Sequence, residues 1–180
     1  MMRVVAGKFG GRRLQTPSSS VTRPTSDRVR ESLFSMLADV NGASVLDLFA
    51  GTGALTIEAL SRGAENAVLV ERDRGAAKII RANLSAFELT EPVARLICGD
   101  AIAALEGAAR RSERYDLVFL DPPYRDHAML GSDPAKLIKA ILAPSARIVT
   151  ESDRREPLEL ELPIIQKRLY GDTLIQIHQI

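Results

Sequence analysis

From Ser44 onward, short apolar runs alternate with stretches whose apolar positions recur at helical spacing. The runs "SVLDLF", "NAVLVE", "VARLIC", "YDLVFL" and "ARIVTE" are each too apolar for a sheet wetted on one face, and segments 54–62, 73–87, 100–110 and 133–142 read as helices. That alternation predicts βαβ units and an α/β fold, a mostly parallel sheet covered by helices on both faces. Both ends depart from the pattern. The tail "PIIQKRLYGDTLIQIHQI" predicts two strands around Gly171-Asp172, an antiparallel hairpin that closes one sheet edge. The start "RVVAGKFGGRRLQTP" predicts a hairpin that reverses at Gly10 and Gly11. After "SSSVTRP", Thr25, Ser26 and Asp27 are helix starters; Val29, Leu33, Phe34 and Leu37 share one helical face, and Asn41-Gly42 stops the helix. The pattern therefore predicts one α/β domain over 25–180, with a hairpin extension over 1–24 and no internal repeat.

A chain of 180 residues is one ordinary domain. It contains no apolar run near the roughly 20 residues that cross a bilayer, and "MMRVVAGKFGG" lacks the apolar core of a signal peptide. A soluble cytoplasmic protein without a membrane partner is expected. Cys98, in "VARLIC", is expected to be a buried inert thiol, and one Cys with two His, at 127 and 178, is too few for a typical zinc site, so no metal is expected.

Charge changes the picture more than composition does. The net charge of +1 conceals a basic start: Arg3, Lys8, Arg12, Arg13, Arg23, Arg28 and Arg30 against Asp27 alone give +6 over residues 1–30, and the remainder carries −5. A polyanion is expected to meet the protein at that end, because arginines and lysines gain affinity by neutralising phosphates and releasing counterions.

The candidate chemistry lies at strand ends, where ligands of such sheets bind. In "VLDLFAGTGAL", Asp47 lies within a strand, and Gly51 and Gly53 occupy the turn into a helix, where a missing Cβ lets the backbone approach a ligand. A dinucleotide fingerprint would need a third glycine at position 56, which is Thr56, so a nicotinamide cofactor is disfavoured. Glu71 after the second strand can accept two ribose hydroxyls, and Asp100 after the third can accept from an adenine amine or cap a helix. Together these acids suit a nucleoside with a cationic amino acid arm. After the fourth strand comes Asp121-Pro122-Pro123-Tyr124. The prolines remove two backbone donors, so the Pro122 carbonyl and the Asp121 carboxylate can serve as paired acceptors for an exocyclic amine. Tyr124 offers a flat face for an extruded base.

The order "DLFAGTGAL", "VERD", "GDA", "DPPY" resembles the class I S-adenosylmethionine-dependent amino-methyltransferases, with their Rossmann-like fold and seven-stranded sheet. The flanks "RVVAGKFGGRRL", "RPTSDRVRESLF", "ALSRGA" and "YGDT" are similar to the RsmD-type 16S ribosomal RNA guanine-N(2) methyltransferases. The resemblance implies S-adenosylmethionine as cofactor, with S-adenosylhomocysteine as product. Asp47, Phe49, Gly51 and Gly53 would hold its methionine arm, Glu71 its ribose, and Asp100 with Ala101 its adenine edge. Asp121, Pro122 and Tyr124 would hold the target guanine of 16S ribosomal RNA or a small-subunit assembly particle. Arg3, Lys8, Arg12, Arg13, Arg23 and Arg28 would face the RNA, Arg23, Thr25 and Arg28 matching a segment near the family's active site. A monomer is expected. Two other readings remain at this point: methylation of adenine in DNA, and a non-catalytic RNA-binding assembly factor.

Overall fold

The computed structural model describes residues 2–17, 26–37, 39–122 and 132–180. Its centre is a seven-stranded sheet of order β5-β4-β3-β6-β7-β9-β8. The strands are β3 (Ser44–Asp47), β4 (Asn66–Glu71), β5 (Ala94–Cys98), β6 (Tyr115–Leu120), β7 (Leu142–Asp153), β8 (Ile164–Tyr170) and β9 (Thr173–Gln179). The first five run parallel, and β9 and β8 add an antiparallel hairpin turning at Gly171-Asp172, as expected from the tail. Central strands such as β6 are apolar on both faces because both faces are covered. Leu117 and Phe119 enter one core layer, and Tyr115, Val118 and Leu120 the other.

Helix α1 (Asp27–Leu37), α2 (Ala54–Ser61) and α3 (Arg74–Ala86) cover the first face, and α4 (Ala101–Arg110) and α5 (Ser132–Ala140) the second. Their starts follow local chemistry. The Asp73 carboxylate accepts from Ala76 N–H at 2.8 Å to open α3, and Asp100 accepts from Ile102 and Ala103 N–H to open α4.

The first two strands, β1 (Met2–Arg3) and β2 (Arg13–Leu14), pair as a small hairpin. Its Met2, Val4, Phe9 and Leu14 are buried in the same core layer as Phe34, Ile57 and Phe87. Glu58 of α2, fully buried, accepts from the backbone N–H of Val5 and Ala6 at 2.7 and 3.0 Å. Ser61 accepts from Phe9 N–H and donates to the Ala6 carbonyl. The extension is thus tied to α2 by buried polar side chains, Glu58 also holding Arg62 at 2.8 Å.

Three expectations change. Cys98 is exposed, because β5 lies at the sheet edge and its carboxyl end has no outer strand among the described residues. Arg30, counted among the basic residues of the N-terminal end, is fully buried; it pairs with Asp27 at 2.7 Å and donates to the Arg3 carbonyl. β7 begins at Leu142, four residues before "ARIVTE", with a register shift between Tyr115 and Leu117 absorbing the extra length.

Candidate active site

Because β3, β4, β5 and β6 are parallel, their carboxyl ends open on one edge of the sheet. Strand order reverses direction between β3 and β6, the place where open α/β sheets form a binding crevice. The register fixes which acids gather there. Asp47 stands opposite Leu69 on β4 and Phe119 on β6, so Glu71 and Asp121 each lie two residues further along the flanking strands. Glu71 in turn stands opposite Cys98, two residues before Asp100. The four acids therefore line one continuous rim.

Asp47 is buried, with 2% of its surface exposed. Its Oδ2 accepts from the Thr56 hydroxyl at 2.8 Å, and a backbone bond from Phe49 helps to hold it. The residue that breaks the dinucleotide fingerprint is thus the one that orients the carboxylate. Burial pushes Asp47 up to about 7; the bonds from Thr56 and Phe49 oppose the shift and the nearby Glu71 adds to it. Burial likewise holds Asp121 well above the usual carboxylate range, reinforced by Glu151 and then Asp47. Asp121 as a residue is half-buried. Two neighbouring acids whose charged forms burial disfavours are the setting that a cationic ligand relieves.

The rest of the rim also matches such a ligand. Glu71 accepts from Gly51 N–H through one oxygen and from Asp73 N–H through the other, both at 2.8 Å. Each oxygen keeps a lone pair for a hydroxyl donor. Asp100 spends Oδ1 on both capping bonds, so its cap role and a second acceptor role at Oδ2 are compatible. Gly51 has φ +55° with nothing among the described residues within 4 Å of where a Cβ would stand, while at Gly53, φ +77°, a Cβ would press on Leu69 at 3.2 Å. The first leaves open space over the loop; the second lets the loop lie against β4. Phe49 and Ala101 border the same rim as partly and fully buried residues.

Pro122 is described and buried; Pro123 and Tyr124 lie outside the described residues, as do Arg23 and Thr25. Of the basic residues, Arg3 and Arg13 stand directly opposite each other in the hairpin, both exposed, and Lys8 and Arg28 are exposed as well. Arg12 is committed elsewhere: its guanidinium lies 4.4 Å from the Phe87 ring centre and donates to the Ala86 carbonyl at the end of α3. A cleft of about 370 Å³, lined by Asn66, Arg95, Glu113 and Tyr115, opens at the amino ends of the strands, away from these acids. There Glu113 binds Arg111, Tyr115 and Arg95, an ion-paired group whose Glu113 is held down to about 2, first by the Arg111 bond.

Residues 2–179 match the model of the family described as "Conserved hypothetical protein 95". The chain belongs to this family. It is 39% identical, over 99% of its length and 98% of the other, to "Putative rRNA methyltransferase YlbH" of Bacillus subtilis (strain 168). It is 42% identical to "Ribosomal RNA small subunit methyltransferase D" of Escherichia coli (strain K12), over 69% of this chain and 61% of that protein. The solved structure "Putative methyltransferase yhhF from Escherichia coli" superposes with a TM-score of 0.83 at 33% identity, covering 99% of this chain and 97% of that one. The protein is an S-adenosylmethionine-dependent methyltransferase of the class I fold.

One acid beside this candidate site carries no motif. Glu151 of β7 follows Thr150, which stands opposite Leu120, so it neighbours Asp121 across the sheet. In sequence it is the last residue of an apolar strand, and only the pairing of β6 with β7 brings it to the rim.

Proposed function

We propose that the protein transfers a methyl group from S-adenosylmethionine to the exocyclic 2-amino group of a guanine in 16S ribosomal RNA. The observation that carries this reading is the position of Asp121-Pro122: at the end of β6, beside the strand bearing Asp47, in the crevice where the strand order reverses. The relatives named as small-subunit ribosomal RNA methyltransferases supply the substrate class.

In this reading Asp47, oriented by Thr56, accepts from the ammonium of the cofactor's amino acid arm, with the backbone of Phe49, Gly51 and Gly53 around it. Glu71 accepts from the ribose hydroxyls, and Asp100 with Ala101 borders the adenine. When bound, S-adenosylmethionine supplies an electrophilic methyl carbon whose sulfur departs with the bonding electron pair. Asp121 and the Pro122 carbonyl accept the two amine hydrogens of the guanine, which draws the nitrogen lone pair out of conjugation with the ring. Holding nitrogen and methyl carbon in line provides most of the acceleration, and acceptors aimed at the charge developing on nitrogen add to it. The proton that nitrogen sheds goes to Asp121 or to water. Tyr124 stacks on the base.

The hairpin serves the RNA backbone. Arg3, Lys8 and Arg13 are exposed on this hairpin, and such cations suit the phosphates of an RNA strand. Such contacts position the RNA without reading its bases.

The test is incubation of the purified protein and labelled cofactor with small-subunit particles, naked 16S RNA and duplex DNA, followed by mapping of the labelled nucleotide. Label on a guanine N2 of 16S RNA is expected. Label on adenine, on DNA, or on neither nucleic acid would overturn the reading.

A further inference from the structure

We propose, resting on the guanine reading above, that Glu151 accepts the N1–H of the target base and so selects guanine over purines that lack that hydrogen. Its position follows from register. Phe119 stands opposite Val149 and Leu120 opposite Thr150, so Asp121 and Glu151 are the next residues on the two strands. Phe119, Val149 and Ile175 are buried in one core layer, and Ile175 stands opposite Glu151 on β9. Side chains alternate along a strand, which puts Asp121 and Glu151 on the face that bears Phe119, Val149 and Ile175, the face that Asp47 shares as the partner of Phe119. Adjacent strands lie about 4.8 Å apart, so the two carboxyl groups are neighbours. Glu151 raises the proton affinity of Asp121, the electrostatic mark of that proximity. Both residues are half-buried, so each keeps some exposed surface at the rim.

Guanine presents its 2-amino group and N1–H side by side on one edge, a row of donors. Asp121 and the Pro122 carbonyl take the amine hydrogens, and a second carboxylate one strand over is placed for the adjacent N1–H. Adenine offers a bare lone pair at N1, and cytosine one at N3; against Glu151 each would set acceptor against acceptor. Discrimination thus comes from repulsion of the wrong base as well as attraction of the right one. The four-residue motif alone supplies only acceptors for an amine, which adenine, cytosine and guanine all possess.

The test uses the full chain, S-adenosylmethionine and a short RNA containing the mapped guanine, alongside the same RNA with 2-aminopurine at that position. 2-Aminopurine keeps the 2-amino group and carries no hydrogen on N1. For the wild type, kcat/KM on the 2-aminopurine RNA should be about 10- to 100-fold below that on guanine, the loss expected for a hydrogen bond to a charged acceptor. Glu151→Ala should lower the guanine value by a similar factor and raise the 2-aminopurine value, because the acceptor facing its bare N1 is gone, bringing the ratio to within a few-fold of the loss due to O6 alone. Glu151→Gln keeps an acceptor oxygen and should retain part of the preference. The ratio compares two substrates in one protein sample, so any misfolded fraction cancels. An unchanged ratio in Glu151→Ala, whether both rates fall together or neither does, would overturn the proposal. A wild type that methylates neither RNA would instead overturn the guanine reading itself, and this proposal with it.

Discussion

Replacing Asp47 by Asn should stabilise the cofactor-free protein while weakening its hold on the cofactor. Burial raises this carboxyl from 3.8 to about 7, so between those values the folded state holds a proton that the unfolded chain has released. The favourable contribution is fully present below 3.8 and is lost as pH rises through about 7. A shift of about 3 units corresponds to about 4 kcal/mol between the protonated and ionised forms. Asn cannot ionise and escapes that penalty at pH 8. It retains an oxygen for the Thr56 hydroxyl but buries an amide that needs an acceptor, at a cost of about 1–3 kcal/mol. The net gain at pH 8 should be about 1–3 kcal/mol, an increase in Tm of roughly 3–10 °C for a chain of this size. At pH 4.5 the gain should vanish or reverse, because burial then costs the wild-type carboxyl only about 1 kcal/mol while the amide cost remains. Thermal melts of both proteins at pH 4.5, 6 and 8 without cofactor measure this directly, and calorimetry should show S-adenosylmethionine affinity falling at least tenfold in the variant. A variant destabilised equally at every pH would show that the buried carboxylate costs the fold nothing, and the electrostatic account of the site would fail.

Asp121→Ala should abolish methyl transfer while leaving cofactor affinity within a few-fold, read by single-turnover labelling beside calorimetry; turnover at a comparable rate would refute its role. Arg13→Glu should weaken RNA binding in a salt-dependent way with an unchanged Tm. Arg12→Glu should lower Tm by several degrees, since it removes a stacked cation and the partner of the Ala86 carbonyl; melts and filter binding at two salt concentrations separate the two arginines. Gly7→Ala should detach the N-terminal hairpin. Gly7 has φ +80°, and an added Cβ would stand 1.9 Å from the Ser61 carbonyl oxygen. The measured sign is a loss of about 3 kcal/mol or more in denaturant and rapid proteolysis ahead of Ser26.

Sequence carried most of the scaffold, because apolar runs of strand length alternating with helical spacing leave few other arrangements, and Gly171-Asp172 marks its hairpin by local turn chemistry alone. It carried the rim acids for the same reason: each ends a strand, and parallel strands end on one side. What it could not carry depends on neighbours across the sheet. Cys98 ends a strand as apolar as its neighbours, and only the strand order places β5 at the edge. Glu151 comes 30 residues after Asp121, and nothing local links them. Arg12 and Arg30 count as charge in any tally, yet one is spent on stacking and the other on a buried pair, which depends on aromatic rings and carbonyls brought from elsewhere.

The side-chain amide of Asn83 in α3 donates to the Thr52 carbonyl in the glycine loop and to the Gln15 carbonyl just past β2, and its oxygen accepts from Gln15 N–H. One residue is thus a shared hinge pin for the N-terminal arm and the turn between β3 and α2. Asn83, Glu58 and Ser61 all reach the arm through its main chain, so an arm transplanted from a relative could dock on them whatever side chains it carried, whereas replacing Asn83 would loosen the arm and the glycine loop together.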